Sequence, residues 1–285
     1  MTHRFCSIVT LATLLVAAAA VSWAGDFTPA DYQKLERLTF QASDGKTLQY
    51  RFYKPEGIKK SRKYPLIIFL HGAGERGMDN DLQVRGQDMF LHLIFSEEGK
   101  KNKAFLVAPQ CPPGVRWTEG VGLAGTPLLR VHELVEQIKQ KFPIDKKRVY
   151  VTGVSMGGFG TWDWMVNYAD ETAAAVPICG WINVEKMCAV PGMKDKPVWI
   201  FHGDRDPAVR VVNGRNAYAG MQRISQNAKY TEYPGVAHNS WINAYREPEL
   251  PKWLYKQKLG KTHKATKSGT KKSTKSKTRK TSKTR

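Results

Sequence analysis

The feature that most constrains this chain is five residues long: Gly153-Val154-Ser155-Met156-Gly157. They follow a strand-like run, Arg148-Val149-Tyr150-Val151-Thr152, and precede a helix-like stretch over 158–167 that is rich in Trp and Met. A serine flanked two residues away on each side by glycine, between a strand and a helix, demands a turn too tight for side chains at the flanking positions. The strain pushes the Ser155 hydroxyl clear of the backbone. The helix that follows aims its N-terminal amides, with their partial positive charge, at the same spot.

The rest of the chain is patterned to supply such a turn. Candidate strands fall at 38–41, 47–53, 65–70, 104–108, 148–152, 174–178, 197–201 and 229–233. Those from 65 to 201 are near-continuous apolar runs, as expected for strands covered on both faces. The first two alternate more, and Ser43-Asp44-Gly45 between them reads as a hairpin turn. Leu128, Val131, Val135, Ile138 and Phe142 recur at spacings of three and four, which predicts a helix over 127–141. Further helices are expected at 209–224 and 242–254. An antiparallel opening followed by β-α alternation predicts the α/β class, a mostly parallel central sheet with helices on both faces. A single domain over residues 25–255 accounts for this pattern.

The ends differ from that domain. Residues 1–24 carry His3 and Arg4, an apolar run over 8–21 and then Ser22-Trp23-Ala24, the pattern of a signal peptide cut after Ala24. The apolar run is shorter than the roughly 20 residues of a membrane span, so a secreted or periplasmic protein without a transmembrane segment is expected. At the other end, residues 256–285 hold thirteen Lys or Arg and no acidic residue; the remainder has 32 basic and 25 acidic residues, a net charge of +7. A Lys, Ser and Thr-rich segment of this kind cannot bury enough apolar surface to fold. It is expected to be a disordered basic arm, either a tether for an anionic polymer or cell envelope, with steep salt dependence, or a solubilising extension. Once residues 1–24 are removed, Cys111, Cys179 and Cys188 remain. Cys179 and Cys188 could close a short disulfide loop, or all three could be small buried hydrophobes.

A serine needs a base to act as a nucleophile at neutral pH, and the base needs an orienting acid. In strand–turn–helix hydrolases the order along the chain is serine, acid, histidine. Of the histidines, His3 and His263 lie in the two ends, and His71, His92 and His132 precede Ser155. His202 sits at the end of a strand, before any suitable acid. His238 remains, in the loop after the last strand. The acid is expected in Phe201-His202-Gly203-Asp204-Arg205-Asp206-Pro207, where Asp206 is preferred and Asp204 is assigned to local turn hydrogen bonds. Two backbone N–H groups should face the developing charge: that of Met156, and that of Ala73 (with Gly74 as the alternative) in His71-Gly72-Ala73-Gly74. His71 is expected to brace that loop. Gly72 to Gly77 also matches G-x-G-x-x-G, but the following Met78-Asp79-Asn80-Asp81 reads as loop, so no nucleotide cofactor is expected. No motif with metal-ligand spacing is present, and no metal is expected. Trp117, Trp162, Trp181 and Trp241 fall near the site; Trp241 and Trp181 are the candidates for substrate contact.

Together these residues resemble the exported serine esterases of the α/β-hydrolase fold related to the phospholipase/carboxylesterase, dienelactone hydrolase and polyhydroxybutyrate depolymerase families. Some of these proteins are called peptidases. The similarity is carried by Leu70 to Gly77, Ala108-Pro109-Gln110-Cys111-Pro112, Thr152 to Gly158, Val176 to Gly180, Phe201 to Asp206 and Tyr233 to Trp241. The resemblance implies hydrolysis of carboxylic esters through an acyl-enzyme, with the acid at Asp206 and no cofactor. Its substrate would be a small-molecule ester or one linked to a polysaccharide or other polymer. The alternatives are a peptidase or thioesterase with the same three residues, or a polyanion-binding protein on a hydrolase scaffold.

Overall fold

The protein is described by a computed structural model covering residues 26–118 and 122–260. The expected signal peptide and residues 261–285 of the basic arm lie outside the described residues. Eight strands form one sheet: β1 (Leu35–Gln41), β2 (Thr47–Tyr53), β3 (Tyr64–Leu70), β4 (Phe105–Pro109), β5 (Ile144–Val154), β6 (Ala174–Ile178), β7 (Val198–Gly203) and β8 (Ala228–Tyr233). Their order is β1-β2-β4-β3-β5-β6-β7-β8. β1 pairs antiparallel with β2, and β2 antiparallel with β4; the pairings from β4 across to β8 are parallel. This is the mostly parallel α/β sheet that the sequence predicts.

The apolar runs sort onto the two faces by the two-residue period of a strand. In β3, Leu66, Ile68 and Leu70 face one core, with Leu128, Val131, Val135, Trp164 and Met221. Ile67 and Phe69 face the other, with Phe90, Leu93, Tyr245 and Leu254. Helix Pro127–Lys141 follows its periodicity: Thr126 caps it by accepting from the Leu129 N–H at 3.3 Å, and Pro127 occupies the first turn, where its missing N–H costs nothing. The chain runs from β3 outward to β4 and then returns to the other flank of β3 with β5. That reversal opens a crevice at the carboxyl ends of β3 and β5.

Several elements differ from the sequence expectation. The helix expected over 242–254 is two, Trp241–Arg246 and Glu249–Lys256. Pro248 cannot donate to a helical ladder, and it forces Glu247 into extended backbone (φ −61°, ψ 113°). The helix expected from 209 begins at Val212. Between β3 and β4 the chain forms short helical turns, including Leu82–Arg85, His92–Phe95 and Glu97–Asn102, which carry no long periodic stripe. The domain also continues past 255: Tyr150 donates to the Gln257 carbonyl at 2.9 Å, and the Leu259 N–H to Lys147 at 2.9 Å. Among the described residues, no helix is long and apolar enough to cross a membrane.

Among the described residues none of Cys111, Cys179 and Cys188 is in a disulfide, so no Cys179–Cys188 bridge closes the loop between them. Cys111 and Cys179 are buried. Alkylation of the unfolded protein without reductant, followed by peptide mass spectrometry, is expected to modify all three. In the native protein, Cys111 and Cys179 should be protected.

Candidate active site

Ser155 sits at the head of β5 with φ 52° and ψ −117°, outside the regions an L-residue favours. Holding such a residue costs on the order of 1–3 kcal/mol, and the surrounding backbone imposes it. A Cβ on Gly157 would lie 1.8 Å from the Leu70 carbonyl oxygen, and one on Gly153 would lie 2.4 Å from that of Gly157. Gly158 and Gly180 are pressed together in the same way, with a Cβ on Gly180 only 2.7 Å from the Gly158 carbonyl carbon. The helix Met156–Tyr168 therefore starts in direct contact with the ends of β3 and β6. The Ser155 N–H donates to Ile178 at 3.0 Å, which fixes the turn to β6.

β7 and β8 bring two more side chains to Ser155. Asp206 is buried, and its Oδ1 accepts from the Ala208 and Val209 N–H groups at 2.9 and 2.8 Å. Its Oδ2 lies 2.8 Å from His238 Nδ1, and His238 Nε2 lies 2.9 Å from Ser155 Oγ. An ionised carboxylate only accepts, so Nδ1 carries the ring proton and Nε2 presents its lone pair to the serine hydroxyl. His202 stands beside this chain of bonds: it is fully buried, its Nε2 lies 2.8 Å from the Val209 carbonyl oxygen and 3.4 Å from Asp206 Oδ2, and burial lowers its pKa. Asp204 does not make the local turn bonds expected of it; its Oδ1 accepts from the Gly235 N–H at 2.7 Å, across to the histidine loop. Gly203 permits that crossing, because a Cβ there would lie 2.3 Å from the Val236 carbonyl oxygen. The sequence reading overlooked Gly203 and Gly235, although the Gly beside His202 and the Gly before Val236 were visible signals.

Met156 opens its helix and Ala73 opens a 3-10 turn, Ala73–Glu75, after β3. The N–H of a first helical residue has no acceptor within its own helix. The loop carrying Ala73 is pinned from beneath. His71 is fully buried, with Nδ1 2.6 Å from the Gly72 carbonyl and Nε2 2.8 Å from the Cys111 N–H that donates to it. The Gly72 N–H donates to Gln87 Oε1 at 3.2 Å, a support that the sequence did not suggest.

Two clefts are lined by chain neighbours of Ser155 and His238, one by Met156 and one by Asn239. A cleft of about 410 Å³ borders Met156, Phe159, Trp181, Asn183 and Lys186. One of about 620 Å³ borders Gln87, Met89, Asn239, Trp241 and Ile242. Trp181 is half exposed, and Trp241 stands edge-on to the His238 ring with centroids 5.5 Å apart. Trp117 and Trp162 are core residues, 1% exposed. Trp117 donates to the His71 carbonyl at 3.1 Å.

Among the described residues, two groups of side chains have ligand atoms close enough to share a metal ion: Cys179, Asp206 and His238, and His132, Glu136 and Glu171. In the second, the Lys139 ammonium already bridges Glu136 and Glu171 at 2.6 and 2.7 Å. In the first, burial pushes the Cys179 thiol up to about 12, so sulfur stays protonated.

Among solved structures, a thermostable esterase superposes with a TM-score of 0.73 at 36% identity, covering 80% of this chain and 64% of that one. The chain has the α/β-hydrolase fold. Residues 126–247 match the phospholipase/carboxylesterase family. A poly(3-hydroxyalkanoate) depolymerase of Paucimonas lemoignei is 30% identical over 220 residues, 66% of this chain and 49% of the depolymerase. A bifunctional acetylxylan esterase/xylanase of Neocallimastix patriciarum is 28% identical over 167 residues, 59% of this chain and 22% of that enzyme. The chain thus spans less than half the length of either curated relative.

Two outcomes follow from this geometry. Gly157→Ala forces a methyl group into the β3 backbone and is expected to cost about 3 kcal/mol or more, measured by denaturant unfolding. Burial holds the His71 pKa down at about 4, against 6.5 for an unperturbed histidine. Above pH 6.5 the ring is neutral whether folded or unfolded, and stability is at its full value. As pH falls towards 4 only the unfolded chain takes up the proton, and stability on the order of 3 kcal/mol is lost. Unfolding of wild type and His71→Gln between pH 7 and 4.5 should show a shallower acid slope in the variant.

Proposed function

We propose that this α/β-hydrolase cleaves carboxylic esters through an acyl-enzyme on Ser155. The observation that carries the proposal is the unbroken hydrogen-bond chain from Ser155 Oγ through His238 to buried Asp206, at the head of a strained turn. Similarity to the thermostable esterase and to the phospholipase/carboxylesterase family supports it.

In the reaction, Ser155 Oγ attacks the ester carbonyl carbon while His238 Nε2 takes the hydroxyl proton. The carbonyl electron pair moves onto oxygen, which the N–H groups of Met156 and Ala73 stabilise; losing one such donor typically costs on the order of 10² to 10³ in rate. Collapse of the intermediate breaks the bond to the alcohol, and His238 returns its proton to the departing oxygen. Water, activated by the same ring, then attacks the acyl-serine and releases the acid. Asp206 holds the ring in the required tautomer and offsets its transient positive charge.

We also propose export, on the pattern of residues 1–24, and a polyanion tether in the basic terminal residues, on their composition. Deleting residues 261–285 should then abolish salt-sensitive retention on an anionic matrix while leaving ester turnover intact. Unchanged retention would remove the tether.

The catalytic proposal is tested with a short-chain nitrophenyl ester. Ser155→Ala should lower kcat by about 10⁴-fold or more, and Asp206→Asn by about 10³- to 10⁴-fold. A fluorophosphonate should label Ser155 alone. Equal turnover by wild type and Ser155→Ala would overturn the assignment.

A further inference from the structure

The parallel strands begin at the edge of the sheet opposite Ser155. β3 is preceded by Lys60-Ser61-Arg62-Lys63, and β7 by Lys194-Asp195-Lys196. Near the start of β5 the pairing with β3 slips: Tyr64 pairs with Ile144, but Leu66 with Val149. The chain advances five residues along β5 for two along β3, and the excess carries Lys146 and Lys147 out to solvent. Arg148 Nη2 donates to the Lys63 carbonyl at 3.1 Å, and the Leu259 N–H donates to that of Lys147 at 2.9 Å. A cleft of about 470 Å³ is lined by Lys194, Lys196, Lys258 and Gly260. The starts of β3, β5 and β7 and the last described residue thus share one surface.

That surface is basic. The carboxylates at the starts of β5, β6 and β7 are Asp145, Asp170, Glu171 and Asp195, and the cations outnumber them. Asp145 pairs with Arg148 at 2.8 Å and with Lys258 at 3.6 Å, and Glu171 with Lys139 at 2.7 Å. Lys60, Lys63, Lys146, Lys147 and Lys194 are exposed, and among the described residues none of them is in an ion pair. Three strand spacings separate β3 from β7, so these cations lie along a row about 14 Å long.

We infer that this edge is a docking surface for an acidic polysaccharide, acting together with the basic terminal residues. The inference rests on the proposed tether, since residues 261–285 continue from Gly260 on this surface. A polymer captured by those residues is held at high effective concentration beside the edge, and two weak contacts then exceed either alone. The side chains select the partner. The fork of Arg148 is taken by Asp145 and the Lys63 carbonyl, and Arg62 lies over the Tyr64 ring, 5.5 Å from its centroid. The rest are lysines, point charges that suit carboxylates spaced along a chain rather than bidentate phosphate recognition. The large exposed hydrophobic side chains among the described residues, Met78, Leu82, Trp181 and Val212, lie elsewhere. None of these stands at the edge to stack on a nucleobase or enter a bilayer. β3, seven residues long, spans about 20 Å between the edge and His71. A polymer docked at the edge therefore leaves the Ser155 end of the sheet free.

The test measures binding to polygalacturonate as a function of salt. An edge variant combines Lys63→Gln, Lys146→Gln, Lys147→Gln and Lys194→Gln. A control of equal charge combines Lys46→Gln, Lys186→Gln, Arg205→Gln and Arg210→Gln, at the other end of the sheet. The edge variant should bind about tenfold or more weakly at low salt, with the slope of log K against log salt shallower by about 2 to 3. The control should stay within about threefold of wild type. In parallel, acetylation read by mass spectrometry should show the polymer protecting Lys63, Lys146 and Lys194 but not Lys46 and Lys186. Equal losses in the two variants, or equal protection at both ends, would overturn the edge. Tighter binding to duplex DNA or to anionic vesicles than to polygalacturonate would overturn the polysaccharide. If deleting residues 261–285 changes nothing while the edge variant loses affinity, the tether falls and the edge stands. Failure of the intact protein to bind any of the three would overturn both.

Discussion

The site depends on how closely backbones approach at the carboxyl ends of β3, β5 and β6. Where Gly157 meets the Leu70 carbonyl there is no room for a single methyl group. The same holds between Gly158 and Gly180, and between Gly203 and the Val236 carbonyl. Each contact lets one segment lie directly on another without an intervening side chain. The positive φ of Ser155 is the result: the turn has no relaxed conformation available while its neighbours hold their places. Strain of this kind persists only in a framework that over-determines it, and the eight-stranded sheet supplies one.

The polar groups around the turn are organised by the same economy. Asp206 is buried, yet its oxygens accept from two backbone N–H groups and from His238. A buried carboxylate without those donors would be costly to keep ionised. Asp204 bonds instead to Gly235, so neighbouring acids serve different ends, one orienting an imidazole and one stitching its loop to β7. His71 shows the complementary case. Its two ring nitrogens are both used by backbone groups, and a ring so buried is held neutral as a rigid brace.

Much of this was legible in the sequence because it is local. The strand–turn–helix around Ser155 spans only a few residues, the stripe of helix 127–141 is periodic, and the parallel strands are continuous apolar runs. Chain order narrowed the histidine to His238 and the acid to Asp204 or Asp206, and the resemblance favoured Asp206; the structure brings His238 and Asp206 to Ser155. What escaped was decided by distant partners. Asp204 looks like a turn residue until Gly235 arrives from 31 positions away. Trp117 and Trp181 are indistinguishable in composition, yet one is sealed against His71 and the other stands half exposed. The helical turns between β3 and β4 are too short for a period to emerge. Pro248 was a visible break, and the apolar residues on either side of it were read through as one helix.

The hydrogen bond between His238 and Ser155 joins residues 83 positions apart, and that between His238 and Asp206 joins residues 32 apart. β6, β7 and β8 lie between, in order, and the outermost strand delivers the histidine. Long-range contacts of this kind form late, after the entropy of closing each intervening loop has been met. A chain whose sheet has grown only as far as β7 would hold the strained serine and the buried carboxyl group with no imidazole between them. On the proposed mechanism, reactivity at Ser155 is thus a property of the finished sheet, and it would report the docking of the last strand.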